Sequence, residues 1–184
     1  MKLEGAECIL TSAMTRTLQT AHYLFQKHDN RSGTEISTDY FPTQEQINDV
    51  SVTGKKEEQP PGDLNKRRIV ACEHWRETVN YLRDSRWPKR LLQKEFPAVD
   101  FSSIVHERDP IWDFYARQYG YSHRSYTSHR ESCDLKGLET RAREAWISLM
   151  SRKEHAVAVV SHRAFMRIMF ERMEDALLYM RTIE

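Results

Sequence analysis

Cysteine is scarce in this chain. Its three copies, Cys8, Cys72 and Cys133, are odd in number and widely spaced. No CxxC pair and no His/Cys ligand spacing occurs, so neither a disulfide framework nor a zinc site is implied. Cys8 and Cys72 lie in apolar runs, where buried free thiols are common, and a reduced, cytoplasmic setting is expected from this usage. Net charge is lacking as well: 28 Lys and Arg against 27 Asp and Glu leave a formal +1. No global field draws nucleic acid or an anionic membrane, so any anion site is local. The longest basic run, Lys66-Arg67-Arg68, suits a solvated turn. No apolar run approaches the roughly 20 residues that cross a bilayer. No signal-peptide pattern opens the chain, which passes from Met1-Lys2-Leu3-Glu4-Gly5 into polar sequence. What remains is 184 residues, 39% hydrophobic and 30% charged, enough for one domain over 1–184 with a real core.

The pattern along the chain alternates short apolar runs with helical stripes. Residues 8–11 read as a buried parallel strand, and 13–28 as a helix with Met14, Leu18, Ala21, Leu24 and Phe25 on one face and Ser12 as its cap. Between 29 and 66 only Glu35–Phe41 reads as a strand, and 42–66, with Gly54, Pro60, Pro61 and Gly62, reads as a surface insertion. Arg68–Cys72 is a second strand. Helical character is predicted over Glu73–Leu82 and again over Pro88–Glu95, where Pro88 suits a first turn. Phe96–Ser102 is extended or turn-like, and 109–134 reads as short helices and loops. Leu135–Lys153 is a helix with Leu138, Ala142, Ala145, Trp146, Leu149 and Met150 on one face. Ala156–Val160 is apolar throughout, which predicts a strand buried on both faces. Arg163–Met180 is the last helix. The alternation predicts a three-layer α/β/α fold with a mainly parallel sheet.

Three residues fall where such a fold places ligands, at the carboxyl ends of the strands. Arg16 lies one turn into the helix after the first strand, and its planar fork of donors suits phosphate oxygens. His162 follows the last strand directly and opens a helix, so its imidazole can donate to a phosphoryl oxygen or carry charge. Glu73 ends the second strand. In a partly buried site its carboxyl is a candidate general acid, with Glu77 one turn on as a competitor. Each also has a plainer reading: a surface arginine, a satisfied strand-end histidine, and a glutamate favoured by a helix start. His123 and His129 form a doublet in a loop with no third ligand at sensible spacing, so no metal is assigned.

Two segments carry a resemblance. Ser12-Ala13-Met14-Thr15-Arg16-Thr17-Leu18-Gln19-Thr20-Ala21 is similar to the Ser-Pro-x-x-Arg-x-x-Gln-Thr-Ala motif of the histidine phosphatase superfamily, whose members look like phosphoglycerate mutase, with Ala13 in place of proline. Val159-Val160-Ser161-His162 resembles that family's closing motif. The stretch from Glu73 to Phe96-Pro97-Ala98-Val99-Asp100-Phe101-Ser102 is more loosely similar to the middle region of the phosphoglycerate mutase-like branch, with Cys72 where arginine or glutamine often stands. The resemblance covers most of the chain outside about 30–66.

In that family a histidine of an Arg-His-Gly triplet attacks phosphorus, two arginines and a second histidine hold the equatorial oxygens, and a carboxylic acid protonates the leaving oxygen. The resemblance therefore implies Arg16 as phosphate clamp, His162 as second histidine and Glu73 as acid. It also implies a small phosphorylated molecule as ligand, with no metal or organic cofactor. Phosphoryl transfer relies on such positioning and charge neutralisation. No Arg-His pair occurs in the 184 residues, and only eleven residues precede Ser12, so the implied fold is incomplete at its N-terminus. Arg163 stands where the family usually has glycine, and either crowds the pocket or adds a cation. Three functions stay open: phosphomonoester hydrolysis through a phosphohistidine; a non-catalytic relative that binds a phosphorylated ligand or protein partner through Arg16, Arg163 and His162; and a helical interaction module using Met166, Met169, Met173 and Met180. Oligomeric state is not legible.

Overall fold

The structure, a computed structural model of the 184-residue chain, describes residues 5–26, 67–119 and 130–171. Its frame is a four-stranded, wholly parallel sheet made of β1 (Cys8–Ser12), β2 (Arg68–Cys72), β3 (Val99–Asp100) and β4 (Val157–Val160), in the order β3-β2-β1-β4. The helices are α1 (Thr15–Gln26), α2 (Lys89–Glu95), α3 (Pro110–Tyr119), α4 (Leu135–Met150) and α5 (163–171). Ile9 pairs with Ile69 and Ala158, and Leu10 with Val70 and Val159.

The two-residue period of the strands splits the core into two faces. Ile9, Ile69 and Ala71 join Leu18, Ala21 and Phe25 of α1 and Leu92 of α2 on one side. Cys8, Leu10, Val70 and Cys72 join Ala142 and Ala145 of α4 and Phe165 and Met169 of α5 on the other. Helices on both faces of the sheet make the three layers that the alternation predicts.

Several local expectations are corrected. Glu73–Leu82 is not helical: a single 3-10 turn (Glu73–Trp75) gives way to irregular chain and a second turn (Leu82–Asp84). Carboxylates take over the backbone donors there. Glu131 accepts from Val79 N at 2.6 Å, and Asp84 accepts from Asn80 N at 3.2 Å and Tyr81 N at 2.8 Å. β4 is an edge strand among the described residues. It pairs with β1 alone, and its four apolar residues are only half-buried, whereas every residue of β1 is buried. Leu24 and Met150 turn outward, at 42% and 65% exposure, off the stripes assigned to them. Ser12 does not stand at the cap of α1, because the helix begins at Thr15 and the Met14 carbonyl accepts its first backbone bonds. Met166 and Met169 pack into the second core face, as a buried stripe rather than a docking surface. The strand expected at 35–41, the insertion at 42–66, the His123/His129 doublet, and Met173 and Met180 lie outside the described residues.

Candidate anion site

The first turn of α1 and the strand end of β4 meet over the carboxyl edge of the sheet. Thr11 pairs with Val160 and Ser12 with Cys72, so Ser12, Glu73 and His162 all leave that edge together. His162 Nε2 lies 2.8 Å from Ser12 Oγ, and Arg16 Nε donates to His162 Nδ1 at 3.3 Å. A guanidinium only donates, so Nδ1 is the acceptor and the neutral ring carries its proton on Nε2, facing Ser12. Burial first, then the guanidinium charges of Arg16, Arg76 and Arg141, push the imidazole pKa down to about 3. The ring is therefore a neutral donor at physiological pH.

Arg16 is held further by the segment that fails to form a helix. Its Nη1 donates to the Arg83 carbonyl at 2.9 Å and its Nη2 to Asp84 Oδ1 at 3.3 Å. Arg163, the residue after His162, opens α5 with an exposed side chain. Among the described residues it makes no hydrogen bond or ion pair.

Glu73 leaves the same edge, with its carboxylate ion-paired to two other arginines. One carboxyl oxygen meets Arg86 Nε at 2.5 Å, the other Arg76 Nη1 at 3.3 Å. The Arg86 contact is an ion pair without hydrogen-bond alignment, since neither atom has a hydrogen-bond partner. Glu73 thus belongs to a buried ionic cluster under the site. Glu77 is spent as well. Its Oε1 accepts from Phe165 N at 3.2 Å, where it caps α5 with charge of the favourable sign.

That cluster escaped the reading of the sequence. Arg76 is fully buried and grips Asp109 with both arms at 2.5 and 2.7 Å, while its Nη2 also reaches the Asp84 carbonyl at 2.6 Å. Asp109 accepts from Arg86 N at 2.6 Å and caps α3 through Trp112 N at 2.8 Å. Burial opposes the charge on Asp109, but the Arg76 guanidinium and these bonds outweigh it and hold the carboxyl below its usual range. Alongside, Arg141 pairs bidentately with Glu131 at 2.9 Å and donates to the Arg76 carbonyl at 2.8 Å. Arg76, Asp84 and Asp109 lie in stretches that look like ordinary charged helix or loop. Arg76 meets Asp84 and Asp109 from 8 and 33 residues away, separations no local pattern encodes.

Over 165 residues, 89% of its length, the chain is 28% identical to a phosphoglycerate mutase-like protein of Arabidopsis thaliana. The chain is similar to phosphoglycerate mutase-like proteins. A second one from the same plant, phosphoglycerate mutase-like protein 1, is 27% identical over 161 residues, 87% of this chain. The chain spans about half the length of these relatives, 52% and 49% respectively. No family model matches the sequence. No solved structure matches it. The similarity agrees with the parallel sheet and its two helical layers. Among the described residues no group of three or more His, Cys, Asp or Glu side chains is arranged to hold a metal, and no helix is long and apolar enough to cross a membrane.

Proposed function

We propose that this chain holds the phosphoryl group of a small phosphorylated molecule, as part of a histidine phosphatase site of phosphoglycerate mutase type. The observation that carries the reading is the 3.3 Å contact between Arg16 and His162 at the carboxyl edge of the sheet. It brings a permanent cation to the sheet edge beside a neutral imidazole, whose Nε2–H a bound oxyanion would have to draw away from Ser12. Arg163, exposed beside His162, is a second cation that a bound phosphate can recruit.

Hydrolysis would need a nucleophile. Both nitrogens of His162 are engaged, one accepting from Arg16 and one facing Ser12, so this ring has no free lone pair to attack phosphorus. Similarity to phosphoglycerate mutase-like proteins makes phosphoryl transfer through a phosphohistidine the second reading, and a turnover assay separates the two. Inorganic phosphate at about ten times its Kd should stabilise the protein by about 1.4 kcal/mol. Arg16→Ala and His162→Ala should each abolish that stabilisation while leaving the protein folded. An aryl phosphate should not turn over. Turnover that both substitutions abolish would replace holding by hydrolysis, and the absence of any phosphate-dependent shift would end both readings.

A further inference from the structure

Arginine is all donor, with five N–H bonds in a planar fork. Three of its nitrogens at Arg16 are already occupied by the protein: Nε by His162, Nη1 by the Arg83 carbonyl and Nη2 by Asp84. The two partners in the Arg16–Asp84 contact are unequal. The Arg16 side chain is 43% exposed and that of Asp84 only 4%. Asp84 is also pinned from three further directions. Its second oxygen accepts from Asn80 N and Tyr81 N, and its carbonyl accepts from the fully buried Arg76. The carboxylate is the fixed element and the arginine the movable one.

We infer that Asp84 is a positioning residue of the anion site, acting through Arg16. It aims the guanidinium at His162 and cancels its charge before any anion arrives. Each Nη keeps one N–H bond, and these are the donors an incoming phosphate finds. A phosphate that takes more must compete with a buried carboxylate and bear its repulsion. Asp84 therefore weakens the hold on phosphate while it sets the geometry. The inference rests on the anion-site reading above.

Asp84→Asn is the discriminating change. The amide oxygen can keep the Asn80 and Tyr81 backbone bonds, while a neutral NH2 replaces the oxygen that faces Arg16. Titration with inorganic phosphate should show about tenfold tighter binding than the unaltered protein, the scale expected on removing a partly screened charge a few ångströms away. Arg16→Ala added to Asp84→Asn should erase that gain. The imidazole nitrogen signals of His162 should also move, because Nδ1 loses its oriented donor. A residue that merely caps its turn would lower the melting temperature and leave both phosphate affinity and those signals alone. Equal or weaker binding with the unaltered protein still binding phosphate overturns this inference and spares the site. Binding by neither protein ends both. Phosphate binding by Asp84→Asn alone overturns the reading that the unaltered protein holds phosphate, and this inference with it. If Asp84→Asn does not fold, Asp84→Ser, which retains a short acceptor for the turn, gives the same comparison.

Discussion

Replacing Arg76 with methionine is expected to lower the melting temperature by roughly 10 °C, an effect out of proportion to one side chain. Its guanidinium is fully buried and bonded to Asp109 through both arms, to Glu73 at 3.3 Å and to the Asp84 carbonyl at 2.6 Å. Methionine leaves the Asp109 carboxylate buried, with only the Arg86 and Trp112 amides to stabilise it. Breaking a buried pair from one side costs about 3–5 kcal/mol. In an isolated pair, replacing both partners with apolar residues is often neutral. Here Arg76→Met combined with Asp109→Leu should remain destabilised, because the Arg86 and Trp112 amides then lose their acceptor and α3 loses its cap. Denaturant titration of the two single variants and the double variant measures the coupling. A melting point for Arg76→Met within 2 °C or so of the unaltered protein would show that the cluster behaves as a surface network. Acid acts on the same pair. Asp109 has its pKa lowered by folding, so its contribution is present above the ordinary carboxyl value, about 4, and fades as pH falls through the lower folded value.

The cluster explains why part of the site was legible and part was not. β1, β2 and β4 stand out as apolar runs of four or five residues, and α1 and α4 as stripes, because burial against a two-faced core imposes those periods. That Arg16 and His162 come together at the sheet edge was legible because each follows such a run closely. The place of Glu73 at a strand end was legible by the same rule, but its partners were not: Arg76 and Arg86 come from a segment without periodicity. The stretch 73–82 reads as helical. Its backbone donors are nonetheless taken by Asp84 and Glu131, one of them 52 residues away from Val79. Tertiary hydrogen bonding overrode local propensity there, and the same bonds build the support under Arg16. β4 shows the converse. Its four apolar residues suit a strand buried on both faces, yet each is half-exposed because only β1 lies beside it among the described residues. The run encodes a preference for burial, and the number of neighbours decides how much of it is met.

Between pH 8 and pH 5 the protein should lose about 2 kcal/mol of stability through His162 alone, which is a fall of roughly 5 °C in melting temperature. The sign follows from the direction of the shift. The imidazole titrates near 6.5 when unfolded and is pushed down to about 3 when folded, first by burial and then by the charges of Arg16, Arg76 and Arg141. Below 6.5 the unfolded chain takes up a proton that the folded chain refuses, so protons favour unfolding until the folded value is reached. Asp100, Asp109 and Glu154, whose carboxyls are shifted down, act below this window and do not confuse it. His162→Asn keeps an oxygen for Arg16 and should flatten the pH dependence over that range. An equal slope in the variant would mean that the buried imidazole is not its source. Phosphate links the measurement to the proposed function. A phosphate anion beside the ring favours the imidazolium and raises the folded value toward 6.5, so saturating phosphate should shrink the loss at pH 5. The same addition should change nothing in Arg16→Ala, where the anion has lost its clamp.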